Sequence, residues 1–243
     1  MNIIEAKNLT KHFDGVLAID RLSFSVANGT ITGIIGPNGS GKTTLTNILS
    51  GMIPKDNGMI IIDGVALERL KSYDARRYGI ARTFQNVRVF EQMSVLDNLL
   101  VVVTERNVWG ALFERHGEYH RARVLEVLER IGLRDKQTAL ARTLSYGQRK
   151  LLEIGRALLT DARVYLFDEP FAGLFPEMAK LIVTIIHELK ADGKTVILIE
   201  HNMELIRELC DTVMVMDSGR LLAEGAPKNV LKKREVLEAY LGE

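Results

Sequence analysis

This 243-residue sequence predicts an α/β core with an N-terminal antiparallel β subdomain and an inserted α-helical subdomain. Three observations lead there. A strand, a glycine loop and a helix follow one another over 30–50. Apolar runs that end in polar residues recur at 162–170 and 194–202, as buried parallel strands do. Between 88 and 160 the pattern turns helical, over a stretch too long for a simple crossover between strands. The core with its β subdomain is therefore expected over 1–87 and 161–243, and the helical subdomain over 88–160, within a single domain.

Composition narrows the class. Hydrophobic residues make up 47% and charged residues 26%, as in ordinary globular proteins. A formal charge of +1 gives no electrostatic reason to expect nucleic acid as a partner. One cysteine, Cys210, excludes an intramolecular disulfide and reads as a buried bystander. The N-terminal stretch MNIIEAKNLTKHF lacks the apolar core of a signal peptide, and no run of 18 apolar residues spans a bilayer. A membrane role requires another polypeptide.

The glycine loop is GPNGSGKT at 36–43, followed by Thr44, and fits G-x-x-x-x-G-K-[ST]. The preceding TITGII reads as a buried strand. Leu45, Ile48, Leu49 and Met52 then fall on one helical face. In that context Gly36, Pro37, Asn38, Gly39, Ser40 and Gly41 curl the backbone so that N–H groups point inward at a helix start. Lys42 reaches the β- and γ-phosphates, and the Thr43 hydroxyl binds Mg²⁺. The expectation is a nucleoside-triphosphate site.

Upstream, residues 2–7 and 22–26 read as strands of a half-exposed antiparallel sheet. Phe13, just before an Asp14-Gly15 turn, either stacks on a purine or belongs to the core. Residues 59–67 read as a strand ending in an Asp63-Gly64 turn. A short strand at 79–84 ends at Gln85, either an ordinary exposed polar residue or, near phosphates, a side-chain carbonyl suited to Mg²⁺ or an attacking water.

Within the insert, Ser94 and Asp97 form a capping pattern. Val124, Val127, Leu128 and Ile131 share one face of a helix that Gly132 stops. Trp109, Leu112 and Phe113 suit packing or a protein contact. His116 and His120 lack the glutamate placement of a zinc-protease helix. Ser145 opens a helix with Leu151, Ile154, Gly155 and Leu158 on one face, a second anion-friendly start without a lysine. It is either an ordinary N-cap or a contact to a nucleotide held by another copy.

Downstream, the run at 162–170 delivers Asp168 and Glu169 to a strand end. Asp168 suits Mg²⁺ through water, and Glu169 suits the polarising of the water that attacks the γ-phosphate. The run at 194–202 delivers His201, either an ordinary surface residue or, beside the phosphate site, an imidazole suited to the γ-phosphate or that water. A hairpin around Asp217-Ser218-Gly219 and short helices finish the chain, with KNVLKKR at 228–234 a solvated face.

In this order the motifs resemble the ATPase subunit of ATP-binding-cassette (ABC) transporters across essentially the whole chain. The resemblance implies a P-loop NTPase core of RecA-like type. Phe13 takes the adenine-stacking place, GPNGSGKT that of Walker A, and Gln85 that of the Q-loop glutamine. LSYGQ at 144–148, with Ser145, Gly147 and Gln148, takes the place of the family signature. YLFDE at 165–169 is the Walker B strand with its catalytic glutamate, and His201 the switch histidine. Tyr146 stands where glycine is commonest, and Phe175 where many members carry aspartate.

Further stretches at 82–101 and 199–211, and the ending AYLGE, are similar to the ATPases of branched-chain amino-acid importers. Urea or amide uptake and lipopolysaccharide extraction are alternatives, as, more remotely, is mechanical work on DNA or ribosomes. Implied with the resemblance are ATP and Mg²⁺ as cofactors. So are a second ATPase subunit, identical or paralogous, membrane permease subunits, and indirectly a substrate-binding protein. The expected location is the cytoplasmic face of the membrane.

Overall fold

The computed structural model describes residues 1–103 and 117–241. The chain opens with β1 (Asn2–Phe13) and β2 (Val16–Ala27), then β3 (Ile31–Ile35) and α1 (Lys42–Leu49). A hairpin of β4 (Asn57–Ile62) and β5 (Val65–Leu67) and the short β6 (Ile80–Arg82) follow. Next come α2 (Val95–Val103), α3 (Gly117–Arg130) and α4 (Tyr146–Leu158). The last third alternates β7 (Val164–Asp168), α5 (Pro176–Ala191), β8 (Thr195–Ile199) and α6 (Met203–Leu209). It ends in β9 (Thr212–Asp217), β10 (Arg220–Gly225), α7 (Pro227–Val230) and α8 (Arg234–Leu241).

These elements form two compact units. One comprises Met1–Arg82, Arg163–Glu169 and Val183–Glu243; the other comprises Thr83–Ala162 and Pro170–Ile182.

The first unit holds both sheets. One runs β2-β1-β4-β5 and is antiparallel; the other runs β10-β9-β3-β8-β7-β6 and is parallel apart from the β9–β10 hairpin. Every residue of β3, β7 and β8 is buried, which is why these strands read as unbroken apolar runs. Ile4, Leu9, Ile19 and Val26 of the antiparallel sheet share one core cluster with Ile34, Leu166 and Ile197 of the other and Leu45 and Ile48 of α1. Cys210 is buried, and burial pushes its thiol up to about 12, so it is an inert packing residue.

Several elements differ from the sequence reading. β1 and β2 each run twelve residues, and the Asp14-Gly15 turn joins them directly. The 59–67 stretch is a hairpin, with Asp63-Gly64 as its turn. α1 ends at Leu49, and Met52 lies beyond it, exposed. β6 ends at Arg82, so Gln85 sits three residues past it on a loop, and residues 88–94 contain no helix.

The second unit is built on α2, α3 and α4. Ser94 caps α2, its Oγ accepting the Asp97 N–H at 3.0 Å. Val124, Leu128 and Ile131 are fully buried as their spacing predicts, and Gly132 takes a φ of +66° just past α3. A Cβ on Gly155 of α4 would lie 2.7 Å from Ile131 Cδ1, 3.3 Å from Val127 Cγ1 and 3.4 Å from Leu99 Cδ2. The glycine thus lets three helices meet closely. Trp109, Leu112, Phe113 and His116 lie outside the described residues.

Candidate nucleotide site

β3 runs into the glycine loop, and α1 starts at its far end with Gly41 as a left-handed N-cap of φ +100°. Gly36 has φ +153°, and a Cβ there would meet the Met216 carbonyl oxygen at 2.1 Å. At Gly41 it would meet the Ala18 carbonyl oxygen at 2.6 Å. Neither position admits another residue without moving backbone. The first turn of α1 contains no acidic side chain and no side-chain cap, so its N–H groups and dipole stay directed at an anion.

Lys42 is 7% exposed and curls over the loop. Its Nζ donates to the carbonyls of Gly36 at 2.8 Å and Pro37 at 2.9 Å, and to Ser40 Oγ at 3.4 Å. Burial lowers its pKa below the usual lysine value, while the Glu169 and Asp168 carboxylates act in the other direction. Thr43 is exposed on the same turn, and Thr44 half-buried.

β7 ends in Asp168, whose Oδ2 pairs with Arg82 Nη2 at 3.1 Å. Arg82 also donates to Thr46 Oγ1 at 3.0 Å, Asn47 Oδ1 at 2.7 Å and Ser50 Oγ at 2.8 Å. It therefore ties the strand end to α1. The sequence gives no signal for this arginine, because its partners are assembled from distant segments.

Glu169 follows with a φ of +46°, and its N–H still reaches the Ile199 carbonyl at 3.0 Å. A non-glycine residue in this region costs about 1–2 kcal/mol. The turn sends the carboxylate toward His201, whose Nε2 lies 3.1 Å from Glu169 Oε1. Phe13 closes β1 at 42% exposure with Lys11 Nζ 5.3 Å from its ring centre, so it is no core residue.

The second unit carries the remaining residues. Gln85 is exposed on the loop after β6, and its carbonyl accepts from Lys150 Nζ at 3.3 Å. Ser145 is exposed as N-cap of α4. Its Oγ accepts the Gln148 N–H at 3.3 Å, and Gln148 Oε1 accepts the Ser145 N–H at 3.1 Å. Gln148 is thus the return half of a capping box. Gly147 is buried, and a Cβ on it would lie 2.4 Å from Met178 Sδ. Tyr146 and Phe175 are exposed, Phe175 at 73%.

Sequence reasoning also missed Glu153 and Lys150, which α4 buries completely or nearly so. A charged pair at i, i+3 inside an otherwise apolar helix face was the available signal.

The Gly36–Thr43 cradle fits a polyphosphate in shape and polarity, and Thr43 and Asp168 supply oxygen donors of the kind Mg²⁺ takes. Together they are the features of a nucleoside-triphosphate-binding protein with a glycine loop and acidic residues at a buried strand end.

Comparison with known proteins narrows that class. Residues 19–172 match the ABC transporter family, and the chain belongs to it. It is similar to the high-affinity branched-chain amino acid transport ATP-binding protein BraF of Pseudomonas aeruginosa, at 36% identity covering 99% of this chain and 98% of that one. A probable branched-chain amino acid transport ATP-binding protein, LivG of Methanocaldococcus jannaschii, is 37% identical over 100% of this chain and 98% of its own. Among solved structures, the ADP conformation of MJ1267, an ATP-binding cassette of an ABC transporter, superposes with a TM-score of 0.87. It is 37% identical, with 100% of both chains covered. The chain is therefore an ABC ATPase, with ATP and Mg²⁺ as the ligands of its family.

Proposed function

We propose that this chain powers import of branched-chain (hydrophobic) amino acids. In this reading it works as one of a head-to-tail pair of ATPase subunits, identical or paralogous, beneath a separate permease at the cytoplasmic face of the membrane. No helix among the described residues is long and apolar enough to cross a membrane, so passage belongs to the permease. The substrate class rests on the full-length similarity to relatives named for branched-chain amino acid transport. A substrate-binding protein would act through the permease.

The observation that carries the chemistry is the Glu169–His201 pair at 3.1 Å, at the ends of strands beside the phosphate loop. His201 holds Oε1, which orients Oε2 to take the proton of the attacking water. Lys42 exchanges its loop carbonyls for β- and γ-phosphate oxygens, and Phe13 stacks on the adenine. Thr43, Asp168 and Gln85 would hold Mg²⁺, which when bound would neutralise charge on the phosphates. Ser145, Gly147 and Gln148 of one subunit meet the nucleotide held by the other, so ATP favours the closed pair and hydrolysis releases it. The stretch 86–93, next to Gln85, is the contact to the permease.

Glu169→Gln keeps the shape and removes the base. Hydrolysis should fall by at least about a hundredfold, while ATP binding persists and a dimer accumulates on a sizing column. Parent-like turnover in that variant refutes the assignment. For the substrate, ATP-driven uptake of labelled leucine by vesicles holding the complex supports the reading. Uptake of urea or an amide instead, or export of lipopolysaccharide, replaces it.

A further inference from the structure

The loop that carries Gln85 has no strand or helix from 83 to 90, yet its backbone is firmly held. Three charged side chains of α4, at i, i+3 and i+6, hold it. Glu153 is 4% exposed, and its Oε1 accepts the N–H of Phe84 at 3.3 Å and of Arg88 at 3.1 Å. Lys150 Nζ donates to the carbonyls of Phe84 at 3.4 Å and Gln85 at 3.3 Å. Arg156 Nη1 donates to the Arg88 carbonyl at 2.6 Å. The Arg88 guanidinium stacks 4.0 Å over the Phe84 ring, and Arg156 lies 4.8 Å over Phe90. One carboxylate oxygen therefore ties both ends of the 84–88 arch, with Gln85 inside it.

Burying this acid is costly. Its second oxygen, Oε2, is buried without a hydrogen-bond partner among the described residues. Burial pushes the carboxyl up to about 7, although the Arg88 and Phe84 N–H groups, Lys150 and Arg156 all favour its charged form. An apolar residue would suit α4 better, so the two backbone bonds are what the glutamate contributes.

We propose that Glu153 is a positioning residue for Gln85. It makes the arch 84–88 a rigid outgrowth of the helix that Ser145 opens. Gln85 and Ser145 then travel as one body. Arrival of Ser145 at the partner's nucleotide and arrival of Gln85 at its own become a single event. This deepens the proposed function and rests on the roles given there to Gln85 and Ser145.

The test follows backbone amide exchange and ATPase kinetics in the purified full-length chain. Glu153→Leu removes the acceptor. It should speed exchange of the Phe84 and Arg88 amides by about tenfold or more, with exchange across 151–158 unchanged. Its kcat should fall by about tenfold, while KM for ATP stays within about twofold because the phosphate loop is untouched. Glu153→Gln keeps an acceptor oxygen and should recover both readouts. Wild-type exchange in Glu153→Leu overturns the proposal, as does equal loosening in both variants. Should Glu153→Leu not fold, Glu153→Met, of nearly the glutamate's shape but with no acceptor oxygen, serves: faster exchange confined to 83–90 supports the link, and parent-like exchange overturns it. Exchange is read without hydrolysis. A parent-like Gln85→Ala ATPase would therefore refute the role of Gln85 separately.

Discussion

At the residue scale, buried charge divides into two kinds. Arg82 and Asp168 neutralise each other at 3.1 Å, and Arg82 also donates to Thr46 of α1. Such a pair is costly to break one side at a time. Glu153 has no comparable partner, and this has a pH signature. Its folded carboxyl titrates about 7, against 4.5 for the free group. Between those values the unfolded chain has released a proton that the folded chain still holds. Stability is therefore lost as pH rises through this window, and the loss is complete above it. Glu153→Gln escapes that loss. Near pH 8 the variant should be about 2 kcal/mol more stable than the parent, roughly 4–8 °C in Tm, and near pH 5 the two should melt together. Thermal melts at both values check this, and an equal Tm near pH 8 would count against a buried ionised Glu153.

At the element scale, the closeness of α4 to its neighbours hangs on a missing methyl. Gly155→Ala puts a Cβ 2.7 Å from Ile131 Cδ1, in a core already filled by Val127 and Leu99. The helix gains propensity but the core is overpacked, and the net should be a loss of about 1–3 kcal/mol, measured by denaturant unfolding. Elements like α4, β7 and β8 are legible because burial on one face or both leaves a regular apolar pattern. β1 and β2 are less so. Their pairing shifts register between Ala6 and Leu9 and again between Leu9 and Lys11, and each irregularity breaks the period-two alternation. β5 and β6, at three residues each, are too short to show any period. The phosphate loop, Asp168 and Glu169 stand out because motif chemistry is local, whereas His201, like Gln85, reads alone as a surface residue and gains a role only from its place in the order of motifs. Arg82 and Glu153 do not stand out, since their partners lie 86 and 69 residues away in the chain.

At the scale of the whole molecule, the candidate residues fall in separate compact units, with Lys42, Asp168 and Glu169 in one and Ser145 in the other. If two chains meet head to tail, each site draws Lys42 from one and Ser145 from its partner. Lys42→Ala and Ser145→Arg should each be inactive alone. Mixed one to one, they form heterodimers in which one site has both intact residues, restoring about a quarter of parental ATPase by random pairing. Mixtures that stay inactive, while sizing shows the subunits pairing, would sink the shared-site arrangement.

If Phe13 stacks on the base as proposed, the hairpin tip bears on nucleobase choice. Lys11 Nζ is bound to Asp56 Oδ1 at 2.7 Å, and the His12 N–H to Asp56 Oδ2 at 2.7 Å. Lys11 and the His12 N–H are thus committed to Asp56, and what Phe13 offers a base is a ring face rather than a hydrogen-bonding group. A face reads aromatic area rather than the pattern of donors and acceptors on a purine's edge. GTP should therefore support turnover within about tenfold of ATP, whereas a pyrimidine triphosphate, with less ring to cover, should need a higher concentration. Preference for adenine would then reflect supply in the cell rather than discrimination by the protein.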